Sequence, residues 1–250
     1  MARIDTIVLG ACDVPTQIEF YSEVLGMNFH SDSRTLGYGA LEARLHFVKT
    51  DNDYQSASHD LYWKIALAVP DIELACRQLS SRGVAIGDPH QFQDIGYLAH
   101  FTDPAGYTIE LIGHWFQGNR PATTVDSNSL GGGAHLNLLT LRTTDIDTLQ
   151  LEVRSWGMTP LSIQRVDNYG FTLHFYAFTD ESPPDADLES VANREWLYQR
   201  PYTVLELQHL HNPQAAVVPA APAKSGFIEA QITSAAQELL YQPLGIRLST

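Results

Sequence analysis

Two glutamates stand where a charge is costly. Glu110 lies in Tyr107-Thr-Ile-Glu-Leu-Ile112 and Glu206 in Thr203-Val-Leu-Glu-Leu-Gln-His209. Each has apolar neighbours on both sides, as in a strand covered on both faces, so each carboxylate is expected to meet a cavity or a partner charge. The plainer reading of Glu110 is a strand-end side chain reaching water near His114. Two histidines share such a setting: His46 in Leu45-His-Phe-Val-Lys49 and His135 in Ala134-His-Leu-Asn-Leu-Leu139. A lone histidine in an apolar run is more often a hydrogen-bonded core residue than a ligand. Carboxylates and imidazoles together are the groups of proton transfer and of metal binding. Other chemistries lack their signatures. There is no Gly-x-Ser-x-Gly elbow, no phosphate loop and no Gly-x-Gly-x-x-Gly after a strand, and Gly131-Gly-Gly133 reads as a flexible connector.

The elements that must position these residues are written as a repeat. Asp13-Val14 leads through a helix-period stretch to Leu25-Gly26-Met27. The pattern recurs from Asp71-Ile72 to Arg82-Gly83-Val84 and from Asp145-Ile146 to Trp156-Gly157-Met158, with Asp and Gly twelve or thirteen residues apart. A weaker fourth copy runs from Thr233 to Leu244-Gly245-Ile246. Each reads as a helix capped by Asp or Thr and stopped by Gly. Strand-like runs precede the first three helices at 4–9, 62–69 and 135–141. In the second copy 85–86, 96–101 and 107–112 follow as strands, with Asp103-Pro-Ala-Gly106 as a turn. The fold class predicted is α+β, built from βαβββ modules, three fairly complete and a fourth partial, forming curved mixed sheets. The expected organisation is paired modules over 1–116 (1–54 and 58–116), a linker over 117–133, and a second domain over 134–250. That second domain divides into a module at 134–212, an Ala/Pro linker at 213–225 and a partial module at 226–250. The incomplete fourth copy either takes strands from a partner or caps an exposed sheet edge.

Composition narrows the setting. The chain has 250 residues, with 29 acidic and 15 basic side chains and a formal charge of −14. Without a basic run, nucleic acid is not an expected partner. No stretch of roughly 20 apolar residues suits a bilayer, and the N-terminus does not read as a signal peptide. Cys12 and Cys76 are too few for a disulfide framework or a Cys-rich zinc site. A cytoplasmic protein is expected, with a homodimer reasonable for an acidic surface ending in an unfinished unit.

Three segments carry a resemblance to a known family: Glu19-Phe-Tyr-Ser-Glu-Val-Leu-Gly-Met27, Phe101-Thr-Asp-Pro-Ala-Gly-Tyr-Thr-Ile-Glu-Leu111, and Leu173-His-Phe-Tyr-Ala-Phe-Thr-Asp-Glu181 taken with Tyr202-Thr-Val-Leu-Glu-Leu-Gln-His209. The chain resembles the vicinal oxygen chelate superfamily of glyoxalase I, extradiol dioxygenases and bleomycin resistance proteins over most of residues 1–212. The resemblance implies sheets curled into a cup, with a divalent metal bound by side chains of the first and last strands of each module and chelated by adjacent oxygens of a small-molecule substrate. Carried onto this sequence, it makes Glu110 and Glu206 metal-binding and catalytic carboxylates, with His135 and His46 as imidazole ligands. The metal would be Zn, Ni, Mn or Fe, and the activity a glyoxalase-type lyase or isomerase.

Two positions strain that transfer. Where the family often has a first-strand histidine, the second copy has Lys64, and a protonated amine binds no metal. If Lys64 and Glu110 share one cup, the outcome expected is an ion pair in the metal's place. For His135 to serve, two or three extra residues must precede the third helix, because counting back from Gly157 reaches Asn137 or Leu138. The alternative function is therefore a metal-free binding or sequestering protein, and an extradiol-type dioxygenase comes third. Arg194, Trp196, Arg200 and Tyr202 are either rim groups for an anionic substrate or a polar loop.

Overall fold

The computed structural model describes residues 2–215, 217, 226–233, 239–241 and 246–249. The first copy runs β1 (Arg3–Ala11), α1 (Val14–Glu19, continued by a π-helical turn Phe20–Val24), β2 (Asn28–His30), β3 (Thr35–Gly37) and β4 (Arg44–Lys49). The second runs β5 (Tyr62–Val69), α2 (Ile72–Ser81), β6 (His90–Phe92), β7 (Gly96–Thr102) and β8 (Thr108–Gly113). The third runs β9 (His135–Thr143), α3 (Ile146–Ser155), β10 (Thr159–Val166), β11 (Phe171–Ala177), α4 (Ala192–Tyr198) and β12 (Val204–Leu210). The last copy contributes β13 (Gly226–Thr233), β14 (Leu239–Tyr241) and β15 (Ile246–Ser249). The fold is thus the curved-sheet α+β class that the repeat implies.

Local chemistry sets the helix limits. The carboxylates of Asp13, Asp71 and Asp145 accept from the backbone N–H of Thr16, Leu74 and Thr148, capping α1, α2 and α3. Gly26, Gly83 and Gly157 follow the helices at φ of 79°, 84° and 91°, the left-handed region that a side chain disfavours. The resembling segments also meet in space. Tyr21 donates its hydroxyl proton to Asp103 at 2.9 Å, and Asp103 accepts from the N–H of Ala105 and Tyr107 to fix its turn. Burial pushes the Asp103 carboxyl up to about 6 against those bonds.

Four expectations change. The copies do not pair within 1–116. The seven-stranded sheet has the order β14-β15-β13-β1-β4-β3-β2 and the eight-stranded sheet the order β10-β11-β12-β9-β5-β8-β7-β6. Copy one therefore pairs with copy four, and copy two with copy three, through antiparallel contacts of their first strands, β1 on β13 and β5 on β9. Repeats with one apolar pattern offer equivalent edges, so the pattern does not choose the partner. The strand expected at 85–86 is absent, and the hairpin strand is β6. A helix filling 234–244 is excluded at Leu239–Tyr241, which is strand; the rest of that stretch, and most of the Ala/Pro linker, lie outside the described residues. The polar loop before Glu206 contains α4. One buried acid stitches the sheets together: Glu42, 3% exposed, accepts from the N–H groups of Tyr38, Gly39 and Leu136.

Strand alternation divides the eight-stranded sheet into two faces. Ile65, Leu67, Ile109, Leu111, Leu139, Leu205 and Leu207 belong to the main core. Ala66, Ala68, Ile112, Leu138, Phe175 and Val204 belong to a second cluster with Leu197 and Tyr198 of α4. Lys64, Glu110 and Glu206 lie in step with the second set.

Candidate functional site

The eight-stranded sheet bends until its two ends nearly meet. Phe92 on the β6 edge touches Tyr169, in the turn between β10 and β11 at the opposite end, with ring centroids 5.3 Å apart. Tyr198 pins the same closure from α4, donating to the Ile95 carbonyl at 2.9 Å and standing 3.2 Å from Gln164 Oε1. Inside lies a cavity of about 250 Å³. Phe92, Leu98, Leu138, Phe171 and Phe175 give it apolar walls, with Trp63, His90 and His100 also lining it.

Its floor is ionic. Lys64 Nζ donates to Glu110 Oε1 at 2.8 Å and to Glu206 Oε2 at 3.2 Å. Thr140 donates to the same Glu206 oxygen at 2.8 Å, and His100 Nε2 stands 2.9 Å from Glu110 Oε2. Lys64 and Glu110 are each 5% exposed and Glu206 2%. Burial disfavours the ammonium, but the two carboxylates outweigh it and hold Lys64 above its usual value. Burial likewise pushes Glu110 up, and Lys64 with His100 overcomes that and draws it down to about 2. For Glu206 burial prevails, reinforced by the Glu110 charge, and its carboxyl is raised despite Lys64 and Thr140. Among the described residues Glu206 Oε1 has no hydrogen-bond partner.

The sheet brings Glu110 and Glu206 together and leaves the two expected imidazoles elsewhere. His135 heads β9, half-buried, with its Nε2 3.3 Å from Asn137 Nδ2 and its ring 5.5 Å from that of His114. Burial draws its pKa down to about 4. By strand register Glu110 lies opposite Ala66, two residues beyond Lys64, and Glu206 opposite Thr140, two residues beyond Leu138. The third copy's counterpart of Lys64 is thus Leu138, a wall residue, so His135 starts the strand too early to reach the cup. His46 belongs to the other sheet, opposite Val8 on β4, beside a separate recess it shares with Thr6 and Glu229. The suggested rim groups are engaged in packing. Arg194 pairs with Asp94 at 2.7 Å, Arg200 lies 4.6 Å over the Trp196 ring and pairs with Glu181, and Tyr202 donates to Glu181. His100, Thr140 and Tyr198 were missed by sequence reasoning. His100 sits directly opposite Glu110 in the β7–β8 ladder, a signal readable only with the register in hand.

Residues 3–111 match the model of the Glyoxalase/Bleomycin resistance protein/Dioxygenase superfamily. The chain has the vicinal oxygen chelate fold. Glyoxalase I from Zea mays superposes with a TM-score of 0.63 at 19% identity, over 93% of this chain and 74% of that one. A mutant of the same enzyme gives 0.65 at 17% identity, over 99% and 91%. A putative dioxygenase from Bacillus subtilis subsp. subtilis str. 168 gives 0.52 at 14% identity, over 93% and 70%. At these identities the likeness is one of fold. Comparison with curated proteins returns no match.

The metal that this fold implies does not suit the residues at the floor of the vicinal oxygen chelate cup. Both carboxylates are committed to an ammonium that their own charges keep protonated, and the remaining first-strand position is leucine. Among the described residues no group of three or more His, Cys, Asp or Glu side chains is arranged to hold an ion. Lys64 supplies one positive charge where a divalent cation would bring two, and offers no coordination position open to a substrate. Nor does any helix among the described residues have the length and apolarity to cross a membrane.

Proposed function

We propose that this vicinal oxygen chelate protein binds a small molecule in the cup of its eight-stranded sheet without a metal ion. The observation that carries the reading is the Lys64 ammonium hydrogen-bonded to both Glu110 and Glu206 beneath an apolar cavity. An apolar pocket with a few convergent polar groups is the usual form of a small-molecule site. The test is a titration of small aromatic compounds followed by Trp63 fluorescence, with and without chelator. Binding unchanged by chelator, in protein that takes up no Mn, Ni, Zn or Fe(II), is expected. Stoichiometric metal uptake that disappears in Glu110→Gln would overturn the reading.

A second reading rests on Glu206. A raised carboxyl with one unpartnered oxygen is suited to take a proton from carbon next to a carbonyl and return it to the neighbouring carbon, with Glu110 and Lys64 fixing its charge. Isomerase turnover that is lost in Glu206→Gln but insensitive to chelator would favour it. The extradiol-type alternative needs two histidines and a glutamate around one ion, and the cup does not assemble that set. The proposed setting is cytoplasmic, with no nucleic-acid partner. A homodimer remains a proposal resting on the acidic surface, because β13 already covers the edge of β1.

A further inference from the structure

Resting on the reading that the cup holds a small molecule, we propose that its ligand is a protonated amine carried on a small aromatic ring system, with the ammonium donating to Glu206 Oε1. The first support is an unmet bond. Glu206 is 2% exposed and lines the cavity, yet only Oε2 is used, by Lys64 and Thr140. Oε1 is therefore open to the cavity, where a charged donor is the strongest partner a carboxylate oxygen can take.

The second support is the sign of the floor. Charged groups follow one another as Glu110, Lys64 and Glu206, two carboxylates around one ammonium, so these three groups when ionised carry one surplus negative charge, with His100 beside Glu110 on the side away from Glu206 Oε1. A cation on the far side of Glu206 completes an alternating row of four charges, whereas an anion would meet two carboxylates. The other titratable groups of the cavity are His90 and His100, which stand nearer water than the floor, and Tyr198, whose hydroxyl is buried and donates to the Ile95 carbonyl. His100, with 38% of its side chain exposed, is engaged with Glu110.

The third support is the wall. Phe92, Phe171 and Phe175 surround a space suited to one small ring system, and aromatic faces also attract cations. An incoming ammonium at Oε1 would share the Glu206 carboxylate with Lys64, which bonds to Oε2.

The experiment compares 2-phenylethylamine, 2-phenylethanol and 3-phenylpropionate by calorimetry on the full chain at pH 7, in the presence of chelator. The amine is expected to bind about tenfold or more tightly than the alcohol, with no binding of the carboxylate. Glu206→Gln, which keeps the shape and the Lys64–Glu110 bond, is expected to level amine and alcohol. Leu138→Phe, which fills the cavity from β9, is expected to abolish binding of both. Equal or tighter binding of the alcohol or the carboxylate, blocked by Leu138→Phe, would overturn the ligand class and leave the cup as the binding place. Amine binding indifferent to Leu138→Phe would overturn the cup itself. No binding by any of the three, in folded protein, would overturn the proposed class.

Discussion

An ammonium held between two carboxylates can be deleted in two ways, with different consequences. Lys64→Met leaves Glu110 and Glu206 facing each other without a counter-charge, and breaking a buried pair by removing one partner costs about 3–5 kcal/mol. Replacing all three side chains, as in Lys64→Met with Glu110→Gln and Glu206→Gln, removes charge and counter-charge together and is expected to recover most of that loss. Urea unfolding of the two variants checks the difference. The acid limb carries a second prediction. The Glu110 carboxyl is lower in the folded protein, at about 2, than the ordinary 4.5, so its stabilisation is complete above pH 4.5 and is lost as pH falls toward 2. Glu206 is raised, so its contribution has the opposite sign and diminishes as pH rises through the folded value. Unfolding at pH 3 compared with pH 5 should therefore weaken native protein more than Glu110→Gln. The flanking residues made both glutamates legible in the sequence, and the count from Ile72 marked Lys64. His100 was hidden because nothing local says which residue stands opposite Glu110. His135 misled because a histidine near the right place, in a run of leucines, carries no mark of its register.

Among the elements, α4 does the most to shape the cup. Its Tyr198 hydroxyl joins Ile95, beside the β6–β7 hairpin, to Gln164 on β10, tying the two ends of one sheet. Tyr198→Phe is expected to cost about 1–3 kcal/mol through the acceptors left unpaired, and to weaken ligand binding as the ends separate. A thermal melt alongside the fluorescence titration checks both; unchanged affinity would mean that the cup holds its shape without this tie. The longer helices were legible because their signals are local: an Asp cap, apolar spacing and a terminal Gly. By contrast α4 has seven residues and no side-chain cap. Its apolar face is given meaning only by the curved sheet beneath it.

On the scale of the molecule, the decisive arrangement is that the outer copies pair with each other and the inner copies pair with each other. β13 lies along β1 from Gly226 opposite Gly10 to Thr233 opposite Arg3, covering an edge rich in buried apolar residues. Removing residues 226–250 is expected to lower the melting temperature and cause self-association, visible by size-exclusion chromatography. A monomeric, equally stable truncation would mean that β1 needs no such cover. The repeat was legible in the sequence, but the choice of partners was not, since each copy offers a first strand of the same pattern. This pairing also orders events during synthesis. The inner copies are neighbours along the chain, so their sheet has all its strands as soon as β12 has emerged from the ribosome. β1 precedes the inner copies in the chain but meets β13 only after they have been made. Until then that edge of β1 lacks its partner strand, and closing so large a loop is expected to come late in assembly.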